Sequence, residues 1–543
     1  MPQNKVLLLT GGAFHDFCAI AATLAEVITH NGFTVVASED RRALTTLSPR
    51  AFKAVAVCTQ GGELTPAQEK SLVQFVKAGG ALVGIHGAAA SWRSNQNYLD
   101  MLGMKFIGHG PPVEFAVEAR DSTHQIMRHF KPFRLTSELY QLEPIGSPPH
   151  VLAHANWLGK MQAAAYVKDF GAGRVFYLAP GHSVEDLSHP QWRQLFSRGL
   201  RWAVGFTEKP PLKVGVIGYG GAFNMGRQHL NEMQAAGLMA AAACDLDPAR
   251  VGVAATDFPG IDTFTDYHDM LKKSQAELIT VILPHHLHAQ VAMDVLHSGR
   301  HCIVEKPMAI TSDQVHAMIA AADKAGKMLS VYHNRRWDGD FLAVEEIVRR
   351  RRALGDVFRI ETGSDSFSAP GSWWRSSKEM SGGMHFDWGA HIIFWALALM
   401  DGPIDWVVAT SQKRVWTNVT NEDHMEAYVR FKNGSTLDFE MSSIGLVHKP
   451  RWRILGTRGA LLDHWNGSLE LSTYDPALKT EAPLKIKYAA SEGFRYYQNV
   501  ADHLRLGDDL EITAAKAGRV VHLLHTMDRA AASGKQEKVP GEQ

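Results

Sequence analysis

Two short runs constrain this chain more than anything else in it: KVLLLTGG at Lys5–Gly12 and KVGVIGYGG at Lys213–Gly221. Each is an apolar strand that breaks into glycines, the way an α/β domain opens when its first strand turns tightly toward a helix. The repetition predicts that a second such domain begins near residue 211. The segment between them ends in Pro210 and Pro211, which interrupt regular structure and stiffen a connection. We therefore expect a first domain over 1–207, a second over 211–333 and a third over 334–543. A chain of 543 residues exceeds one ordinary hydrophobic core in any case.

Further strands are predicted in the first domain at Thr34–Ser38, Ala54–Cys58, Ala81–Ile85 and Arg174–Leu178, with a helix over Pro66–Ala78. In the second they fall at Val214–Ile217, Ala240–Cys244, Leu278–Leu283, Cys302–Val304 and Met328–Tyr332. Strand–helix alternation implies parallel sheets in both. After residue 355 the pattern changes to closely spaced alternating segments: Val357–Gly363, Trp406–Ser411, His424–Phe431, Ser435–Met441, Trp452–Gly456 and Leu469–Ser472. Turns such as Lys432-Asn433-Gly434 separate them, which predicts an open antiparallel sheet. The expected class is α/β: a flavodoxin-like parallel sheet, then a nucleotide-binding α/β domain and an α+β domain with an open antiparallel sheet.

Charge excludes several partners. Lys and Arg together number 56, as do Asp and Glu. That balance gives no electrostatic reason to expect nucleic acid or an anionic membrane, and suits a small neutral ligand. The four cysteines, Cys18, Cys58, Cys244 and Cys302, are far apart and lack CxxC spacing. They read as thiols of a reducing compartment. The apolar runs are strand-sized and the start does not read as a signal peptide, so the expected location is cytoplasmic.

The chemistry concentrates in three motifs of the second and third domains. Gly218, Gly220 and Gly221 follow the strand, as a dinucleotide pyrophosphate site requires. Five residues separate Gly220 from Gly226, so either Gly226 is a third glycine after an insertion, the reading favoured here, or Phe223 takes its place. In HCIVEKPMA, Glu305 and Lys306 stand at the carboxyl end of a buried strand, where open α/β sheets bind ligands. In GGMHFDWGAHIIF, Asp387 and His391 are four residues apart and share a helix face. Asp245, at the end of the following strand, can accept hydrogen bonds from an adenosine ribose and repel a 2′-phosphate, which favours NAD over NADP. It also opens the DLDP turn, a second sufficient reason for an aspartate there.

With Pro284, His285 and His288 in LPHHLHAQ, Asn334 and Arg336 in VYHNRRWD, and Trp374–Arg375, these motifs resemble the Gfo/Idh/MocA oxidoreductases over about residues 211–535. The resemblance implies hydride transfer between NAD(P) and a sugar or polyol. It makes Lys306, Asp387 and His391 the catalytic set: Lys306 bonded to the reacting hydroxyl, His391 the proton acceptor, Asp387 the orienting group. Gly218, Gly220, Gly221, Asp245, Pro284, His285, His288, Glu305 and Lys306 would meet the cofactor. Trp374, Arg375, Asn334 and Arg336, with Trp373 and Tyr332, would meet the sugar.

The first domain is similar to the ThuA-like family in GGAFHDF, VGIHGAAASW, FIGHGP, TSELY and GAGRVFYLAPGH. That family is associated with disaccharide use, and its sheet is related to the class I glutamine amidotransferases. Where those place a nucleophilic cysteine, this chain has His86, so thiol catalysis is not available. His15, His86, His109, Glu138 and His182 form the candidate second site. Three imidazoles and a carboxylate suit a divalent metal, acid–base work on a sugar, or a structural remnant.

The combined expectation is an NAD-dependent dehydrogenase of a glycoside, disaccharide or polyol hydroxyl, yielding a 3-keto sugar by family association, with the first domain processing or binding the sugar. The alternative is a glycosidase or lyase using tightly bound NAD transiently, with no net redox change. The apolar rows Met425, Ala427, Val429, Phe431 and Leu437, Phe439, Met441 suggest a homo-oligomer formed through the last sheet.

Overall fold

The structure, a computed structural model, describes residues 4–220, 224–475 and 480–542; Gly221 and Phe223 lie outside the described residues. The chain forms two units, Met1–Pro210 with Asp502–Asp509, and Pro211–Ala501 with Leu510–Gln543.

In the first unit five parallel strands run in the order Thr34–Ser38, Lys5–Gly11, Ala54–Thr59, Ala81–Ile85, Gly173–Leu178. Successive side chains of a strand face opposite ways, so its apolar run serves two cores. Val6 and Leu8 pack with the helices Phe17–His30 and Pro190–Ala203, whereas Leu7 and Leu9 pack with Pro66–Lys77 and Gln96–Leu102. Beyond Gly173–Leu178 the sheet continues antiparallel through Lys160–Phe170, His150–Trp157, Val113–Ala119 and Phe133–Ser137. A separate ribbon pairs Met104–His109 with Tyr140–Pro144, setting His109 opposite Tyr140.

The second unit begins with six parallel strands in the order Asp262–Phe264, Met239–Cys244, Lys213–Ile217, Leu278–Val281, His301–Val304, Leu329–Val331. Numbered along the chain this is 3-2-1-4-5-6, the doubly wound dinucleotide-binding order, and its direction reverses between Lys213–Ile217 and Leu278–Val281. An eight-stranded sheet follows: Ile404–Gln412, His424–Phe431, Thr436–Ser442, Val357–Asp365, Trp452–Gly456, Gly459–Asp463, Ser468–Asp475, Thr480–Lys487. All its pairings are antiparallel except that of Val357–Asp365 with Thr436–Ser442, which is parallel.

One expectation about this sheet fails. The rows Met425, Ala427, Val429, Phe431 and Leu437, Phe439, Met441 are already buried within the chain. The helix Ala514–Ser533 packs on Ile404–Gln412, and the helix Trp388–Leu399 sits on the neighbouring strands. A Cβ on Gly389 of that helix would lie 2.9 Å from the Phe439 ring, so the two surfaces meet without a gap. Helices cover the face expected to join subunits, and the argument for an oligomer through these rows loses its basis. No described helix is long and apolar enough to cross a membrane.

Candidate active site and a histidine cluster

The strand Lys213–Ile217 ends at Gly218, whose φ of +95° and 2.0 Å approach of a would-be Cβ to the Ile282 carbonyl demand glycine. Gly226 stands in the first turn of the helix Met225–Ala235, where a Cβ would lie 2.6 Å from Cα and O of Tyr219. It thus fills the close helix–strand packing role of a third fingerprint glycine despite the longer loop. Asp245 Oδ2 accepts the backbone N–H groups of Tyr219 (2.9 Å) and Gly220 (3.0 Å), and Oδ1 accepts Asp247 N–H (3.0 Å). Asp245 thus holds the glycine loop and opens the turn after its strand, as the second sequence reading expects.

The strand His301–Val304 delivers Glu305 and Lys306, joined to Pro307 by a cis peptide bond. Glu305 accepts from Lys306 N–H (3.0 Å) and from His229 Nε2 (3.0 Å), while His229 Nδ1 meets the Tyr497 hydroxyl at 2.6 Å. Burial pushes the Glu305 carboxyl up, but His229 and Lys306 outweigh it and hold the group below the usual carboxylate range. Lys306 Nζ donates to Asp387 Oδ1, and Asp387 Oδ2 is 3.4 Å from Arg375 Nε. Against burial, these two cations keep Asp387 well below its ordinary value.

Asp387 is the residue before the helix Trp388–Leu399, which also carries His391. Burial, then Lys306 and His333, push the His391 imidazole well below its ordinary value of 6.5, so it is a neutral base throughout the neutral range. His333 stacks on Phe394 (4.5 Å between centroids) and meets His391 edge-on at 5.8 Å. Burial and Lys306 bring it down to about 3. The Arg375 guanidinium lies between the Trp373 and Trp374 rings, 4.6 and 4.5 Å from their centroids. A pocket of about 230 Å³ opens on Asp387, Arg375 and Trp388 and is walled by Ser364, Ser366, Ser442, Ser443, Asn421 and Glu422. Glu422 also accepts from Met384 N–H (2.8 Å) and His385 Nδ1 (2.9 Å), fixing the turn that enters the helix Trp388–Leu399.

The other predicted residues make the following contacts within the chain. His288 has its two ring nitrogens 2.8 Å from the Pro307 and Leu283 carbonyls and is fully buried, so it pins two turns together. His285 donates through Nδ1 to the Ser381 carbonyl (2.8 Å), with its ring against Trp374. Pro284 precedes the single turn His285–Leu287. In the turn Asn334–Trp337, Arg336 is paired with Glu345 and Glu511, and it is Arg335 that lies over Trp388 at 4.6 Å. Tyr332 donates to Glu232 (2.5 Å). His333 and Glu422 escaped the sequence reading; the HNRR run was the available signal for the first, and nothing local marked the second.

The second cluster is built at strand ends. His15 follows Lys5–Gly11, His86 follows Ala81–Ile85 and His182 follows Gly173–Leu178, all at the carboxyl ends of parallel strands, where such sheets bind ligands. His86 holds a φ of +41°, a left-handed conformation costly for a residue with a Cβ. Ring nitrogens of His15, His86 and His182, one from each residue, all lie within 4.8 Å of one another. The ribbon brings Glu138, whose oxygens are 3.3 Å from His182 Nδ1, 3.5 Å from His86 Nε2 and 3.6 Å from His109 Nδ1. Burial raises the Glu138 carboxyl, but the three imidazoles outweigh it and hold it below its usual range. Burial and the neighbouring His86 and His182 push His15 down to about 4. Neither His15 nitrogen, nor His86 Nε2, nor His182 Nδ1 makes a hydrogen bond, although each is buried. An orphaned buried polar group costs about 1–3 kcal/mol.

A doubly wound sheet with Lys306 at a strand end, paired with Asp387 and with His391 on the helix that follows Asp387, is the arrangement of a nucleotide-dependent oxidoreductase. Comparison with known proteins agrees. The family described as trehalose utilisation (ThuA) matches residues 5–203, the oxidoreductase family with NAD-binding Rossmann fold (GFO_IDH_MocA) matches 212–333, and its C-terminal domain matches 341–462. The chain is thus a ThuA domain followed by a Gfo/Idh/MocA oxidoreductase. It is 26% identical over 364 residues to the scyllo-inositol 2-dehydrogenase (NADP(+)) IolW of Bacillus subtilis strain 168, covering 60% of this chain and 94% of that protein. It is 27% identical to an uncharacterized oxidoreductase of Schizosaccharomyces pombe over 38% of this chain and 57% of the other. Among solved structures, an NAD-binding protein from Listeria innocua superposes with a TM-score of 0.54 at 26% identity, covering 60% of this chain and 97% of that one. A levoglucosan dehydrogenase in complex with NADH and levoglucosan shares the fold, with a TM-score of 0.54 at 20% identity over 61% of this chain and all of its own.

Proposed function

We propose that the Gfo/Idh/MocA part oxidises a ring hydroxyl of a glycoside, disaccharide or related polyol to a ketone, with NAD as preferred acceptor. The observation that carries this reading is the ion pair of Lys306 with Asp387, beside neutral His391 and at the mouth of a hydroxyl-lined pocket. The glycine turn at Gly218 follows the first strand of a doubly wound sheet and precedes the helix Met225–Ala235, the place where such folds bind a pyrophosphate, so the residues fit a dinucleotide. When bound, the nicotinamide supplies the hydride acceptor.

In this reading the Lys306 ammonium donates to the reacting hydroxyl and stabilises developing alkoxide charge. His391, kept neutral by burial and by Lys306, takes the hydroxyl proton on Nδ1 or Nε2. Asp387 holds the ammonium in place and Arg375 holds Asp387. The Trp388 ring and the serine wall offer the flat apolar face and hydroxyl partners that a sugar ring requires, and Trp373 and Trp374 flank the Arg375 that lines the same pocket. NAD is favoured over NADP because the Asp245 carboxylate would stand against a 2′-phosphate. The named substrates of relatives, scyllo-inositol and levoglucosan, are ring polyols and support this class. The fused ThuA domain would then act on the keto product.

The test is absorbance in the reduced-nicotinamide band when the purified full chain meets NAD and a panel of glycosides, disaccharides and inositols. Stoichiometric NADH with ketone formation is the expected result. Product formation without NADH accumulation would instead identify the redox-neutral glycosidase or lyase, and no turnover on any panel member would reject the carbohydrate reading.

A further inference from the structure

The first unit leaves a chemical demand that its own residues do not meet. His86 is 1% exposed, and its Nδ1 is 2.8 Å from the Ala179 carbonyl oxygen. A carbonyl only accepts, so Nδ1 carries the proton and a neutral His86 presents its Nε2 lone pair to the cluster. That arrangement, one nitrogen donating to a backbone carbonyl while the other is bare, is how proteins orient an imidazole toward a metal. His15 and His182 add unbonded buried nitrogens beside it. Protons alone satisfy this set poorly. One proton can join one imidazole to Glu138, leaving the remaining lone pairs facing each other, whereas a single cation satisfies all three.

We propose that His15, His86 and His182 bind one divalent transition-metal ion of the zinc class, with Glu138 beside it as a proton acceptor for a sugar bearing a ketone next to a hydroxyl. Imidazole nitrogens at about 2.0–2.1 Å suit zinc, and three protein ligands leave a position open for substrate. Bringing nitrogens that span up to 4.8 Å onto an ion needs only small side-chain rotations. The open position takes the ketone oxygen. Glu138 removes the proton on the carbon next to the carbonyl; the C–H electron pair becomes the carbon–carbon double bond, and the former carbonyl pair rests on the metal-bound oxygen as an enolate. Return of the proton from the Glu138 carboxyl regenerates the ketone, so atoms and charge balance with no further reactant. The substrate class rests on the proposed oxidation in the other unit; the metal does not.

Two measurements on the full chain separate these claims. First, protein stripped with a chelator is equilibrated with zinc or cobalt(II), desalted and analysed by mass spectrometry for metal. About one equivalent per chain is expected, with visible d–d bands for cobalt, and loss of both in His86→Gln and His182→Gln. No retained metal in folded wild-type protein, or equal retention by both variants, overturns the site. Circular dichroism checks that each variant is folded, and the wild-type measurement stands if a variant is not. Second, chemically prepared 3-ketoglucose is incubated in heavy water with loaded protein, and loss of the proton beside the ketone is followed by NMR. Metal-dependent exchange is expected and should be lost in Glu138→Gln. Exchange that survives chelation overturns the metal's part, and none with loaded protein overturns the keto-sugar assignment. Because neither measurement uses NAD, failure here is distinct from failure of the dehydrogenase reading, which NADH formation reports alone.

Discussion

At Lys306 the charges are matched. Two cations meet the Asp387 carboxylate, His229 answers Glu305, and burial of each charged group is offset by a partner. At His86 the count is uneven, with several imidazoles around one carboxylate and nitrogens left without hydrogen bonds. Lys306 and His86 each follow a parallel strand, so that placement alone does not make the difference. Opposite charges hold one another in place before any ligand arrives, which preorganises the first centre. Ring nitrogens without hydrogen-bond partners do not hold one another in place, and such a cluster is organised by what it binds.

The sharpest way to break this contrast is to remove the lysine or the base at the matched centre. Lys306→Met and His391→Ala should each lower kcat by roughly 10²–10⁴-fold while NAD affinity, followed by fluorescence titration, stays near wild type. Near-normal turnover in either would show that the matched charges are structural. In the wild-type enzyme the acid limb of kcat/KM should lie well below 6.5, because the buried His391 resists protonation.

A second test concerns stability. His333 has its folded value pushed down to about 3 from 6.5, so the unfolded chain takes the proton first. Stability should therefore fall as pH drops from 6.5 toward 3, by about 1.4 kcal/mol per pH unit from this residue alone. Urea denaturation at a series of pH values should show that slope reduced in His333→Phe, which keeps the stack on Phe394. An unchanged slope would place the acid sensitivity elsewhere.

Asp245→Ala should move the NAD/NADP preference by roughly tenfold toward NADP, equivalent to about 1.4 kcal/mol. Unchanged selectivity would reduce Asp245 to a holder of the loop and turn. The smallest effect is expected for Trp373→Leu, which removes one ring from Arg375 and should raise KM by about two- to fivefold, since such a contact is worth about 0.5–1 kcal/mol.

Motif-bearing strands were legible because their apolar runs end abruptly in glycine or charge, as at Ile217–Gly218 and Val304–Glu305. The antiparallel half of the first sheet was not. Lys160–Phe170 reads KMQAAAYVKDF, whose alanines carry little strand preference, so its conformation comes from tertiary pairing. Asp262–Phe264 was too short to show a period. At the site, the family resemblance grouped Lys306 with Asp387, which meet in an ion pair, but it could not distinguish Arg335 from Arg336. Adjacent residues in a turn point differently, and only the fold decides which one meets Trp388. The oligomer argument failed for a related reason: alternation marks a buried face without saying what buries it.

The contact of Gly389 with Phe439 has a consequence for how this enzyme can diversify. The helix that follows Asp387 and bears His391 is seated on the sheet through a position with no side chain to spare, where any added carbon would have to push the Phe439 ring aside. The serines that wall the pocket hang from strand ends and the segment after Asp365. New substrates can therefore be accommodated by rewriting those hydroxyls one at a time, while the reacting groups keep their register, much as a lock is rekeyed without moving its bolt.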